Sequence, residues 1–102
     1  MATQAESAEA VADRTFIVVA TMHPDTDLDE LAALRAAEHE RLEHLQAAGR
    51  IGAHHLAATR GTVFLEVFAT DEEQVADLLA SLPFARFFQP DVYPIAAPPA
   101  EP

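Results

Sequence analysis

Residues 51–69 read IGAHHLAATRGTVFLEVFA. Two strand-like runs, 51–59 and 62–69, flank Arg60-Gly61, a pair suited to a hairpin turn, so the stretch predicts two adjacent antiparallel strands. What lies on either side decides the fold. Upstream, residues 28–48 are strong helix formers in which Leu28, Leu31, Leu34, Leu42 and Leu45 recur at helical spacing. Gly49 is a natural stop for that helix, and Asp25, Thr26 or Asp27 a natural cap for its start. Downstream, DEEQVADLLASL puts Val75, Leu78 and Leu79 on one face, after a cap at Thr70 or Asp71 and before Pro83. Further out, TFIVVATM at 15–22 is apolar on both faces, as an inner strand is. A last strand over 88–95 contains two prolines, which predicts an edge position or an irregular pairing. The order is therefore βαββαβ, the ferredoxin-like α+β arrangement of a four-stranded antiparallel sheet with two helices on one face.

Composition narrows the function. The chain has 102 residues and a formal net charge of −11, with no lysine among its basic residues. An acidic surface repels phosphate backbones and anionic lipid, so neither nucleic acid nor membrane is an expected partner. Without lysine there is no Schiff-base chemistry. The chain also lacks cysteine, which excludes disulfides, thiol nucleophiles and thiolate zinc sites. Residues 1–13 are small and polar and read as a flexible arm, 14–96 as the folded domain, and 97–102 as a Pro-rich tail. The start does not resemble a signal peptide, and no apolar run is long enough for a membrane helix, so a cytoplasmic location is expected. A core this small leaves one sheet face bare, and a second copy of the chain is its simplest cover, giving a homodimer or a higher homo-oligomer.

Three residues stand out for acid–base chemistry. Glu38 lies seven residues after Leu31 and four after Leu34, with Leu42 and Leu45 beyond it, which sets a carboxylate in the middle of an apolar stripe. Burial there raises a carboxyl pKa toward the range useful to a general acid or base, whereas pairing with Arg35 or Arg41 would make it an ordinary surface ion pair. Glu66 sits in VFLEVF among apolar neighbours, on the face shared by Phe64 and Phe68. A two-residue turn at Arg60-Gly61 sets Thr59 opposite Thr62, and counting back sets His55 opposite Glu66, as a proton-transfer dyad or as a polar pair at a subunit interface. A one-residue change of register dissolves that pair. His54 points to the other face. The run Glu38-His39-Glu40-Arg41-Leu42-Glu43-His44 imitates a zinc-protease motif, but its histidines are five apart, about 140° around a helix, and form a solvated face instead. No metal site and no cofactor is expected, since no Cys/His ligand set and no phosphate-binding glycine loop is present. Arg86, in PFARFF, is a candidate for holding a substrate carboxylate, and Tyr93 for donating to a substrate oxygen.

The segments LQAAG, HHLAAT, VFLEVFATDEEQVADLLASLPF and VYPI together resemble the muconolactone delta-isomerase family over about residues 15–95. The resemblance implies a dimeric α+β barrel. It places Arg35 and Glu38 at positions where relatives carry a Lys and, three residues later, a Glu. Relatives have a Trp-Arg pair where this chain has His55-Leu56, a Thr near Tyr93, and an Arg-His-Pro end where this chain reads AAPP. These departures point away from muconolactone itself. The expectation is a cofactor-free isomerase or cyclase acting on a small carbonyl or lactone-type compound, polyketide-like in character. Glu38, His55 and Glu66 would be its catalytic residues, and Arg35, Phe64, Phe68, Arg86 and Tyr93 would bind substrate. Two alternatives stand beside it: a cofactor-free monooxygenase of the dimeric α+β barrel type, and a non-catalytic small-molecule-binding or interaction module.

Overall fold

The computed structural model describes residues 13–58 and 61–96. The chain runs through β1 (Arg14–Met22), α1 (Leu28–Ala33), α2 (Arg35–Ala47), β2 (Ile51–Leu56), β3 (Thr62–Ala69), α3 (Glu72–Ala80), a 3₁₀ turn (Ala85–Phe87) and β4 (Phe88–Pro94). The sheet order is β2-β3-β1-β4 with every neighbouring pair antiparallel, the ferredoxin-like topology that the order of elements implied. Strand β1 is an inner strand and β4 an edge, as the apolar run and the prolines Pro90 and Pro94 require. The expected arm, 1–13, lies outside the described residues except for Asp13, and so does the expected tail, 97–102.

The helix ends follow side-chain chemistry. Asp27 caps α1, its Oδ1 accepting from the N–H of Asp29 at 2.9 Å and of Glu30 at 3.3 Å. Asp71 caps α3 through the Gln74 N–H at 2.8 Å, and the Gln74 side chain accepts in return from the Thr70 N–H at 2.7 Å. The single helix expected over 28–48 is two helices joined at Leu34, whose φ and ψ of −99° and 3° tighten the chain without breaking it. At the far end of α2, Gly49 adopts φ 76°. There the Gly49 N–H reaches the Gln46 carbonyl at 3.0 Å and the Arg50 N–H reaches the Leu45 carbonyl at 2.9 Å, closing the helix in a Schellman turn.

Alternation along the strands sorts the sheet into two faces. Phe16, Val18, Leu65, Val67 and Ala69 point toward the helices and are buried with Leu45, Ile51, Val75 and Leu78. On the other face lie Ile17, Val19, Phe64, Glu66, Phe68, Asp91 and Tyr93, with no element of the described chain over them.

Strand β2 departs from simple pairing. Ile51 is opposite Val67 and His54 is opposite Leu65, so three steps on β2 match two on β3. This is a β-bulge at Gly52-Ala53, and beyond it every side chain of β2 changes face. The register that sets His55 opposite Glu66 is thereby corrected: His55 is opposite Phe64. The Ala57 N–H meets the Thr62 carbonyl at 2.8 Å, so Ala57 takes the place opposite Thr62 that was expected for Thr59. Thr59 and Arg60 of the expected turn lie outside the described residues.

Gly49→Ala tests the helix stop. An added Cβ meets nothing within 4 Å, so only the left-handed backbone opposes it. We expect a loss of about 1 kcal/mol, read as a fall in denaturation midpoint at unchanged m-value.

Candidate functional site

Between the helix layer and the sheet lies a cavity of about 320 Å³. Val18, Ala20, Val63, Leu65 and Val92 form its floor, Leu42 and Leu79 its helical wall, and Leu82, Phe84 and Phe88 its end. Among the described residues, two of its lining side chains are ionisable, Glu38 from α2 and His54 from β2. An apolar cleft holding a few polar groups is the usual form of a small-molecule site.

Glu38 is 8% exposed and is the buried charged side chain among the described residues. Leu31, Glu38 and Leu45 are all buried, as a seven-residue spacing on one helical face dictates. The carboxylate pairs with neither Arg35 nor Arg41. Its Oε1 accepts the backbone N–H of Phe84 at 2.9 Å, and the Arg41 guanidinium instead donates to Ser81 Oγ at 3.0 Å. Burial pushes the Glu38 carboxyl above its ordinary value, and the Phe84 N–H offsets part of that rise by favouring the charged form. The result is a desolvated carboxylate with one oxygen fixed to the backbone. That arrangement suits proton transfer.

The structure separates the other expected site residues from Glu38. His55, Glu66, Phe64, Phe68 and Tyr93 all project from the opposite face of the sheet, where Phe64 and Tyr93 are 41% and 54% exposed. His55 and Glu66 share that face diagonally rather than directly. Glu66 Oε1 instead accepts the Ala53 N–H at 3.3 Å, which satisfies a donor freed by the bulge. Arg35 is exposed on α2 and is not part of the cavity wall. Arg86 is exposed too; its guanidinium lies 3.4 Å from Glu30 Oε1 and 4.8 Å from the centre of the Phe87 ring. On the solvent side of α2, His39 Nε2 meets Glu43 Oε2 at 3.1 Å, as the solvated-face reading expects.

Sequence reasoning missed His54 as a cavity residue, and it missed the Phe84 backbone N–H. The signal for the first was present: a glycine inside a strand run marks a bulge, and a bulge reverses the faces beyond it. Nothing in the sequence announces the second, because a backbone donor carries no residue-type signature.

The cavity between helices and sheet, closed by the segment that leads into β4, is a feature of the whole chain. A family model for muconolactone delta-isomerase matches residues 15–101. The chain belongs to that family. The match spans all eight elements apart from the first residue of β1, so the family and the observed α+β fold agree from β1 to β4. No curated protein matches the chain. Among the described residues, no helix is long and apolar enough to cross a membrane.

The raised Glu38 pKa makes a prediction about stability. A carboxyl held above its unfolded value binds its proton more tightly in the folded state, so its contribution is present below the unfolded value and is lost as pH rises through the folded one. Glu38→Gln keeps an acceptor for the Phe84 N–H and removes the charge. Its melting temperature should therefore gain on the wild type as pH rises above about 4.5, the wild type falling behind as Glu38 ionises. Parallel melting curves across that range would remove the buried-charge argument.

Proposed function

We propose that this chain is a cofactor-free isomerase or cyclase that relocates a proton on a small carbonyl or lactone-type compound, with Glu38 as its acid–base group. The carrying observation is the Glu38 carboxylate: buried, raised in pKa, tethered by one oxygen to the Phe84 N–H and bordering an apolar cavity. In this reading the carboxylate removes a proton from the carbon next to a carbonyl. The C–H electron pair becomes the C=C bond of an enolate, and the carbonyl oxygen takes the negative charge. Glu38 then returns the proton at another carbon of the conjugated system, which moves the double bond, or the enolate carbon closes on an internal carbonyl, whose π electron pair moves to its oxygen and takes the proton from Glu38. Leu42, Leu79, Val92 and Phe88 keep water from the intermediate, and the same dry surroundings strengthen every interaction with the developing charge.

Membership of the muconolactone delta-isomerase family supports this class of chemistry. The substrate is a polyketide-like specialised metabolite rather than muconolactone, a reading that rests on His55-Leu56 and the AAPP end. A second copy covers the bare sheet face, where Ile17, Val19, Phe64, Phe68 and Tyr93 present an apolar surface.

Deuterium incorporation into unsaturated γ-lactones in D₂O, followed by mass spectrometry, tests the chemistry without requiring the natural substrate. Wild-type protein should accelerate exchange next to the carbonyl, and Glu38→Gln should lower that rate by about 10²–10⁴-fold. The rate should rise with pH through the elevated Glu38 value and then level, because only the ionised carboxylate abstracts a proton. Equal exchange by both proteins removes Glu38 from the mechanism. Sedimentation separately tests assembly: a dimer or larger species is expected at micromolar concentration, and a stable monomer there would refute the covered sheet face.

A further inference from the structure

The bulge in β2 is held from two sides. Glu66 Oε1 accepts the Ala53 N–H at 3.3 Å from the bare face of the sheet, and Gln46 Nε2 donates to the Gly52 carbonyl at 3.0 Å from α2. Glycine at position 52 leaves room for this carboxylate, because a Cβ there would meet Glu66 Oε1 and push it from the Ala53 N–H. The outcome of this bracing is that His54, and not His55, faces the helices and borders the cavity that holds Glu38.

The same glutamine also faces the His54 ring. Its Nε2 is identified as nitrogen by the Gly52 carbonyl, which only accepts. That NH₂ group also lies 3.5 Å from His54 Nδ1. A ring nitrogen facing a donor is suited to accept, an arrangement that favours, in the neutral ring, the tautomer protonated on Nε2. Glu38 and His54 therefore complement each other across the cavity: a carboxylate on the helical layer, and an N–H donor at the exposed rim of the sheet layer.

We propose that His54 is the second substrate-contacting group of this site, donating its Nε2–H to the carbonyl oxygen of a conjugated cyclic ketone or lactone whose proton Glu38 moves. The inference rests on the acid–base role proposed above for Glu38. As Glu38 takes the proton, the C–H pair enters the new C=C bond and the charge collects on the oxygen, where a fixed N–H donor lowers the energy of the enolate. Gln46 is then a positioning residue, acting through the imidazole, and the site selects a ring that bears an oxygen on the side of β2.

Two small rings read this directly, 2-cyclohexenone, which carries the acceptor oxygen, and cyclohexene, which does not. Binding is followed by methyl NMR shifts of Leu42 and Val92, and the imidazole tautomer by ¹⁵N shifts of His54. The wild type should prefer the ketone by about tenfold, the scale of one hydrogen bond. His54→Phe should bind both rings equally, and His54→Gln should keep part of the preference. Gln46→Leu should lose part of it while the ¹⁵N shifts move toward a mixture of tautomers. A preference that survives in His54→Phe overturns the proposal, as does its absence from the wild type or a ring protonated on Nδ1. His54 is exposed, so its variants should keep the wild-type backbone spectrum. Ring binding reports on His54 and deuterium exchange on Glu38, so failure of this inference and failure of the acid–base reading give different results.

Discussion

One extra residue in β2 governs the geometry of this molecule. Between Ile51 and His54 the strand advances three residues against two on β3. Without that bulge, the alternation that buries Ile51 would turn Ala53 and His55 toward the helices and leave His54 on the bare face. The bulge is stabilised by interactions on both sides of the sheet, the Glu66 carboxylate on one and the Gln46 amide on the other. A residue expected to act in catalysis thus has a clear architectural part in this fold. Glu66 satisfies a backbone donor that the irregular ladder leaves over.

Glu38 illustrates a different balance. Taking a carboxylate out of water costs several kcal/mol unless its oxygens find donors. Here one oxygen accepts a backbone N–H, and the pKa stays raised because that single bond does not replace full hydration. A stripe of leucines would have packed more favourably in its place. The donor comes from the short segment between α3 and β4, so the carboxylate also ties α2 to the entry of the last strand, 46 residues away in sequence.

How far the sequence could be read follows from the range of each interaction. Local patterns carried the fold: Asp27, Asp71 and Gly49 mark helix ends through contacts within a few residues, and the apolar run of β1 could only be an inner strand. Glu38 was readable for the same reason, since a seven-residue period on a helix is a local property. The His55–Glu66 pairing depended on a turn whose length a dipeptide does not determine, and on a strand assumed regular through Gly52. Alternation put Phe64, Glu66 and Phe68 on one face, and the strand pairing adds Tyr93 to it. Which face the helices left open is a non-local fact, decided by where α1, α2 and α3 pack.

The prolines of β4 have a consequence beyond marking an edge. The Ile95 N–H reaches the Thr15 carbonyl at 2.9 Å, so the odd-numbered residues of β4 direct their backbone groups inward to β1, and Phe88, Pro90, Val92 and Pro94 direct theirs outward. Two of those four outward positions have no N–H to offer. An incoming strand would meet an incomplete row of donors there, and at the opposite edge it would meet the kink at Gly52-Ala53. Both sides of the sheet are thus poor templates for strand addition. Domain swapping and fibril growth are disfavoured by the same irregularities that shape the cavity.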